Sequence, residues 1–225
     1  MEIKQLSFGY GASKPILNNL SLQLEPGEKH GILGANGAGK TTFFRLVSGQ
    51  LKPQSGAILL NERPVTKTDV SLLEAEPYFY PYMTGMEYLR FIEDDTSQIE
   101  RWNGLFDLPL LQYAEEYSTG MKKKLGLMGV LLQKNRPLLI LDEPFNGVDF
   151  ESNEIIMSVL RHEHLQHRTL LISSHILPTL TRVCQRISVL ENGEFVQTYP
   201  QSEFHRLETL VQGNMDEKVQ AALGS

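Results

Sequence analysis

The sequence predicts an α/β fold with a mostly parallel core sheet, an N-terminal antiparallel β subdomain and an inserted α-helical subdomain. Three observations predict this architecture. Alternating apolar and polar residues open the chain, strand-length apolar segments then alternate with segments of helical spacing, and the stretch from about 84 to 133 shows helical spacing alone. A chain of 225 residues can bury one such core, so we expect residues 1–225 to form a single domain.

The N-terminal elements are predicted from alternation and from turn residues. Ile3–Phe8 and Leu20–Leu24 alternate apolar and polar residues as half-buried strands do, and Pro26-Gly27 marks a turn. Lys29–Leu33 is a short apolar strand, and Lys40–Ser48, beyond a glycine-rich loop, has helical spacing. This order of strand, loop and helix begins the parallel core.

The middle of the chain contains two further strands and the predicted insert. Gly56–Leu60 and Asp69–Leu73 have the length and composition of strands. The segments with helical spacing are Met86–Ile92, Ser97–Phe106 and Met121–Gln133. We therefore expect the helical subdomain to span about residues 84–133.

Strands and helices alternate again after the insert. Pro137–Asp142 is an apolar segment of the kind buried on both faces of a parallel sheet. The elements after it are predicted as helix Ile155–Leu165, strand Thr169–Ser173, helix Leu177–Val183 and strand Arg186–Leu190. The region of about residues 200–225 lacks a clear pattern and is predicted to be a peripheral C-terminal tail.

Charge and composition exclude several classes of function. With 21 basic and 27 acidic residues the net charge is −6, the wrong sign for a protein held by phosphate contacts, so no nucleic acid partner is expected. Cys184 is the only cysteine, which excludes an intrachain disulfide and favours a reducing, cytoplasmic compartment. No apolar run approaches the roughly 20 residues that span a bilayer, so we expect any membrane role to depend on a partner.

A phosphate-binding loop is predicted after the first core strand. Residues 34–41 fit the pattern GxxxxGK(S/T) of a P-loop NTPase core, between a strand and a helix as the motif requires. Backbone N–H groups and the helix N-terminus would bind phosphate, Lys40 would reach the β and γ phosphates, and Thr41 would ligate Mg²⁺. The predicted nucleotide-binding residues of this region are Gly34, Ala35, Asn36, Gly37, Ala38, Gly39, Lys40, Thr41 and Thr42.

Two carboxylates follow the apolar strand at the sheet edge where α/β proteins bind ligands. Asp142 is predicted to hold Mg²⁺, directly or through water, and Glu143 to accept a proton from the water that attacks the γ-phosphate. His175 ends the next strand at the same edge and is predicted to hydrogen-bond the γ-phosphate. The alternatives are an acidic turn before Pro144 and a structural histidine.

A second phosphate site is predicted at the start of helix Met121–Gln133. Ser118 is a good N-cap residue, so a capped helix start is the simpler interpretation. However, three successive lysines at 122–124 place positive charge at the positive end of the helix dipole, which is unfavourable unless an anion docks there. The segment is Tyr117-Ser118-Thr119-Gly120-Met121.

The order of these motifs resembles that of the ATP-binding subunits of ABC (ATP-binding cassette) transporters, over roughly residues 1–200. The P-loop, an aromatic-proline loop, the signature, LLILDEP, the D-loop and the switch histidine follow in sequence. In that family two subunits pair head to tail over ATP. The resemblance implies that Ser118 and Gly120, beside Thr119, contact the partner's γ-phosphate, that Asp149 lies at the subunit boundary, and that Tyr10 stacks on adenine.

Three positions depart from the pattern of the family. Thr119 stands where glycine is usual, which predicts weaker or slower closure on phosphate. Met121 replaces the usual glutamine, a change that resembles the branch serving ABC-2 type exporters. The glutamine of the Q-loop falls on Ala75, between Glu74 and Glu76, so either a glutamate substitutes for it or the contact is absent.

The resemblance implies an ATP-binding and ATP-hydrolysing subunit with ATP and Mg²⁺ as cofactors. It would act as a homodimer or heterodimer on a transmembrane permease carried by a separate chain, at the cytoplasmic face of the cell membrane. Met121 and the stretch 80–84 favour export over import, and the aromatic segment Pro77–Met83 either packs within the helical subdomain or docks the permease. The alternatives are a soluble ABC-type ATPase acting on ribosomes or DNA, and a nucleotide-sensing subunit with little turnover.

Overall fold

The structure is a computed structural model that describes residues 1–11, 15–162 and 167–223. Its strands are β1 (Glu2–Phe8), β2 (Leu17–Gln23), β3 (Lys29–Leu33), β4 (Ser55–Leu60), β5 (Arg63–Pro64), β6 (Val70–Leu73), β7 (Leu138–Leu141), β8 (Thr169–Ser174), β9 (Arg186–Glu191) and β10 (Glu194–Pro200). The α-helices are α1 (Lys40–Val47), α2 (Gly85–Arg90), α3 (Thr96–Phe106), α4 (Thr119–Leu132), α5 (Phe150–Arg161), α6 (Leu177–Thr181) and α7 (Phe204–Leu223). None of the described helices has the length and apolarity needed to cross a membrane.

The strands form two sheets whose topology positions the site. The N-terminal sheet has the order β2-β1-β4-β5 with antiparallel pairs. The second sheet has the order β10-β9-β3-β8-β7-β6, and its pairs are parallel except for the β9–β10 hairpin at one edge. The loops after β3, β7 and β8 therefore leave the sheet at the same end. The predicted fold class, with its antiparallel β subdomain and its inserted helices α2 to α4, is confirmed.

Strand β7 is buried on both faces, as its continuous apolar sequence predicts. Leu138 and Ile140 belong to the apolar cluster that contains Phe43 of α1 and the N-terminal sheet. Leu139 and Leu141 belong to the cluster on the other face, with the apolar residues of α4 and α5. The residues that follow β7 are therefore attached to a strand held from both sides.

Some element boundaries differ from the predicted ones because side chains cap them. Asp69 is not part of β6, since its carboxylate accepts a hydrogen bond from the Thr66 amide at 2.8 Å and closes a short 3-10 turn. Helix α5 begins at Phe150 rather than at Ile155, because the Asp149 carboxylate accepts a hydrogen bond from the Ser152 amide at 2.9 Å. Of the predicted helix Ile155–Leu165, residues 163–165 lie outside the described residues.

The C-terminal region contains two elements that the sequence analysis did not predict. Strand β10 pairs with β9 across a turn at Asn192 and Gly193. Helix α7 occupies much of the region expected to be a tail, and Phe204 and Leu207 on it are buried in the core. Apolar residues at Phe204, Leu207 and Val211 follow helical spacing, so the signal was present but weak.

Candidate functional site

The glycine-rich loop of residues 34–39 joins β3 to α1 at the C-terminal end of the parallel strands. A Cβ atom on Gly34 would lie 2.7 Å from the carbonyl oxygen of Leu190, and Gly39 has a φ of 109°. Neither position accepts a larger residue without strain. Gly39 immediately precedes α1, so the N–H groups of the first helical turn lie at the loop.

Lys40 is the first residue of α1, and its ammonium group points back into the loop. Nζ donates hydrogen bonds to the carbonyl oxygens of Gly34 at 2.7 Å and Ala35 at 3.2 Å, and it lies 3.1 Å from Oε1 of Glu143. The Lys40 side chain is buried. A buried ammonium group surrounded by oxygen atoms provides the positive charge that an incoming phosphate requires.

Thr41 and Asp142 meet although the sequence separates them widely. Thr41 Oγ1 donates to Asp142 Oδ2 at 2.7 Å, and Ser173 Oγ donates to Asp142 Oδ1 at 2.5 Å. Carboxylate and hydroxyl oxygens are the ligands that Mg²⁺ prefers, so the donor set of Thr41 and Asp142 fits this ion. Ser173 was not among the predicted site residues, because its role depends on the neighbouring strand β7.

Glu143 lies between two nitrogen-containing groups in an unusual backbone conformation. Its φ is 49°, in the left-handed region that residues other than glycine seldom adopt, and such strain is concentrated at functional sites. Oε1 faces the Lys40 ammonium, and Oε2 lies 3.0 Å from Nδ1 of His175. The Glu143 side chain is 12% exposed, against 35% for His175. The structure thus brings the three predicted catalytic residues together.

A cavity of about 590 Å³ lies beside the phosphate loop. It is lined by Leu33, Gly34, Ala35, Asn36, Gly37, Ala38, His175, Val189, Leu190, Glu191, Asn192, Leu207, Leu210, Val211 and Met215. The wall formed by α7 was not anticipated from the sequence. Tyr10 is not among the described lining residues; it follows β1, is 52% exposed and packs edge-on against Phe8 with ring centroids 5.0 Å apart.

A second cavity, of about 390 Å³, lies at the start of α4. It is lined by Ser118, Thr119, Gly120, Met121, Lys124, Gly147 and Asp149, so it contains the four residues predicted to contact a partner's ATP. Ser118 caps α4 by accepting a hydrogen bond from the Met121 amide at 3.2 Å. A Cβ atom on Gly120 would lie 2.9 Å from the Gly147 carbonyl oxygen, so the backbones approach closely. The two cavities have no described lining residue in common.

The fold and the contacts of the glycine loop are those of a P-loop nucleotide-binding protein. Within this class, a family model described as ABC transporter matches residues 17–146, more than half of the chain, and the protein belongs to that family. The matched region includes the phosphate loop, the second cavity's Ser118 to Gly120 segment and the acid pair, Asp142 and Glu143. Asp149 and His175 lie beyond it.

Curated relatives agree with the family assignment. An uncharacterized ABC transporter ATP-binding protein of Nostoc sp. is 36% identical over 80% of this chain, which spans only 58% of that protein. The ABC transporter ATP-binding protein YtrB of Bacillus subtilis is 31% identical, covering 99% of this chain and 80% of its own length. A bacitracin transport ATP-binding protein of Bacillus licheniformis is 31% identical, covering 85% and 66% respectively.

Solved structures show the same fold. An ATP-binding subunit of an ABC transporter superposes with a TM-score of 0.82 at 28% identity, over 93% of both chains. An ATP-bound bacterial Atm1-family ABC exporter gives 0.84 at 21% identity, over 97% of this chain and 42% of that one. A dimeric ATP-binding cassette bound to ADP and Pi gives 0.80 at 19% identity, over 89% and 98%. The last two likenesses concern the fold alone.

Proposed function

We propose that this chain binds ATP with Mg²⁺, hydrolyses it, and thereby energises a transmembrane transporter through the closing and opening of a dimer. The observation that supports this most strongly is the placement of Glu143. Its carboxylate has one oxygen beside Lys40 and the other beside His175, at the end of a strand that is buried on both faces. A carboxylate in this position can accept a proton from water that attacks a phosphate in the loop.

The contacts of Lys40 suggest how nucleotide binding prepares the base. Lys40 is bound by two loop carbonyl oxygens and by Glu143. The β and γ phosphates of ATP offer stronger acceptors to the ammonium group and replace these oxygens. Glu143 then loses its contact with Lys40, and its carboxylate becomes available to the attacking water.

The residues near the acid pair, together with Tyr10, are proposed to contact Mg²⁺, the γ-phosphate and adenine. Thr41 and Asp142 would hold Mg²⁺, which when bound would neutralise charge on the β and γ phosphates. Ser173 orients the Asp142 carboxylate through one oxygen and leaves the other directed at Thr41. His175 uses Nδ1 for Glu143, so Nε2 is the nitrogen proposed to donate to the γ-phosphate. The half-exposed ring of Tyr10 is proposed to contact adenine.

Two copies of the cassette are needed for the proposed reaction. Ser118, Thr119, Gly120 and Asp149 line a cavity that has no described residue in common with the cavity beside the P-loop. This separation supports a head-to-tail dimer, in which the second cavity of one subunit closes over the ATP of the other. The partner subunit is either an identical chain or a related one.

The aromatic segment Pro77–Met83 supports a membrane partner. Tyr78, Tyr80 and Tyr82 are between 66% and 76% exposed, whereas Phe79 is buried against Tyr88 with ring centroids 4.9 Å apart. Exposed aromatic side chains are enriched in the cores of interfaces. We propose that the three tyrosines dock a permease on a separate chain, at the cytoplasmic face of the membrane. The bacitracin transport relative supports a role in transport, and the resemblance at Met121 favours export.

The test compares the wild type with Glu143→Gln, using Lys40→Ala as a variant that cannot bind the phosphates. Phosphate release reports turnover, and light scattering with and without ATP reports the dimer. Because a general base typically contributes 10²–10⁴-fold, we expect Glu143→Gln to turn over about 100-fold more slowly or worse and to accumulate as an ATP-bound dimer. Lys40→Ala should neither hydrolyse ATP nor accumulate as an ATP-bound dimer. Hydrolysis by Glu143→Gln at the wild-type rate would refute the role of Glu143.

Turnover and affinity capture separate the alternative functions. ATP binding by the wild type without turnover would favour a nucleotide-sensing subunit, for which Thr119 and Ala75 are the supporting observations. Affinity capture from membrane extract separates the partners, since a multi-span permease is expected. Ribosomal proteins in its place would favour a soluble ATPase.

A further inference from the structure

Lys123 is a buried lysine that the proposed reaction does not yet use. It lies in α4 and is only 1% exposed. Within the part of the chain that the structure describes, no carboxylate lies within ion-pair distance of its ammonium group. Desolvation lowers the pKa of Lys123, while the charges of Asp142, Glu143 and Glu76 oppose that shift. Burying an ammonium group costs stability unless it is paired or hydrogen-bonded, so the hydrogen bonds of Lys123 matter.

The ammonium group of Lys123 binds the segment that leaves strand β6. Nζ donates hydrogen bonds to the Ala75 carbonyl oxygen and, at 3.4 Å, to that of Glu74. The preceding residue, Leu73, accepts a hydrogen bond from the Asp142 amide at 2.9 Å. The side chain of Lys123 is therefore connected to the backbone of Asp142 through three successive residues of one segment.

The same lysine belongs to the helix that carries the second cavity. Ser118 caps α4, and Lys123 lies within the first turns that follow. Further along α4, a Cβ atom on Gly126 would lie 2.8 Å from Leu73 Cδ1 and 3.2 Å from Pro77 Cγ, so the helix is tightly packed on this segment. Lys123 thus belongs to the helix that carries the second cavity and contacts the segment that is hydrogen-bonded to Asp142.

We propose that Lys123 is a positioning residue for ATP hydrolysis, an inference that rests on the proposed function. Residues 74–75, which follow strand β6, form the segment that we call the β6 exit. By binding their carbonyl oxygens, Lys123 keeps the β6 exit, and with it Asp142 and Glu143, in a defined position relative to α4. Movement of α4 on dimer closure is thereby transmitted to the acid pair.

The test uses Lys123→Met, which removes the donors, and Lys123→Gln, which retains two N–H donors without the charge. Lys134→Met is the matched control, because Lys134 follows the same helix but is exposed, and its ammonium group donates to Gln98 at 3.2 Å. Misplacement of catalytic groups by about 1 Å costs on the order of 100-fold, so we expect kcat of Lys123→Met to fall by about 10- to 100-fold. The Kd for ATP should change less than about threefold, because the P-loop contacts are intact.

Stability separates positioning from a merely structural role. Lys123→Met removes a desolvated charge, which offsets the loss of two hydrogen bonds to the carbonyl oxygens of the partly buried Glu74 and Ala75, so its thermal midpoint should stay within about 3 °C of the wild type. Lys123→Gln should recover at least about a fifth of the wild-type kcat, as expected if N–H donors are what matter. Lys134→Met should match the wild type in every measurement.

Three results would overturn the inference. They are turnover by Lys123→Met within twofold of the wild type, a fall in kcat that parallels a fall in folded protein, and Lys123→Gln no more active than Lys123→Met. If the wild type hydrolyses ATP and Lys123→Met does so equally, this inference fails while the proposed function stands. If the wild type itself binds ATP without turnover, both fail.

Discussion

Removing the hydroxyl group of Ser173 tests whether the acid pair depends on strand β8 for its position. Ser173 is fully buried, and its Oγ donates to Asp142 Oδ1 at 2.5 Å while accepting from the Glu143 amide at 2.9 Å. Ser173→Ala leaves the carboxylate and the amide each without this partner. The amide belongs to the residue whose φ is 49°, so the change removes support where the backbone is strained.

The expected loss of stability follows from these two contacts. A hydrogen bond to a charged group contributes about 1.5–3 kcal/mol, and a buried N–H without a partner costs about 1–3 kcal/mol. Because one hydroxyl group serves both, we expect the free energy of unfolding to fall by about 2–4 kcal/mol rather than by the full sum. For a chain of this length that corresponds to a thermal midpoint lowered by about 4–16 °C.

Urea and thermal unfolding measure this loss, and phosphate release measures the accompanying fall in turnover, expected to be about 10-fold or more. Ser174→Ala is the matched control, because the contacts of the Ser174 hydroxyl lie within residues 174–179: it accepts from the Ile176 amide and the Thr179 hydroxyl, both at 3.0 Å, and donates to the Ile176 carbonyl oxygen at 3.3 Å. The free energy of unfolding of Ser174→Ala should fall by about 1 kcal/mol, and its turnover should fall less than that of Ser173→Ala. A Ser173→Ala protein as stable and as active as the wild type would refute the reasoning.

Two further predictions concern dimer closure and pH. In a Glu143→Gln background, Thr119→Gly should strengthen the ATP-dependent dimer by about threefold or more, measured by analytical ultracentrifugation, because it removes a side chain where backbone approaches phosphate; a weaker dimer would contradict this. His30 is buried between Glu28 and Ser188, and desolvation lowers its pKa. The unfolded chain therefore binds a proton below about pH 6.5 that the folded chain does not, so stability present above that pH should fall on acidification by up to about 1.4 kcal/mol per pH unit. Urea unfolding at pH 7.5 and 5.5 measures this fall. The free energy of unfolding of His30→Gln should decrease less between these pH values than that of the wild type. Equal decreases in the two proteins would show that His30 is not the group responsible.

The sequence was sufficient wherever neighbouring residues decide the outcome. The phosphate loop is contiguous, and its glycines, Lys40 and Thr41 follow from the backbone geometry that the loop requires. The buried strand β7 could be predicted because a continuous apolar run has few alternatives between two helical segments. The order of motifs also predicted the family to which the chain belongs.

Several features depended on tertiary contacts that no local pattern encodes. The shared sheet edge predicts that Thr41 meets Asp142 and that Glu143 meets Lys40 and His175. It does not predict the distances between these side chains. The support of Ser173 depends on strand β8 lying beside β7, and the wall that α7 adds to the cavity depends on where the C-terminal helix packs.

Buried charged groups show most clearly the difference between what the sequence determines and what the tertiary structure decides. The sequence places Lys123 in a run of three lysines, where any of the three is equally suited to face solvent or an anion. Only the packing of α4 on the β6 exit selects Lys123 for burial and directs its ammonium group at the carbonyl oxygens of Glu74 and Ala75. Local propensity depends on adjacent residues, whereas burial depends on which distant surfaces the fold brings into contact.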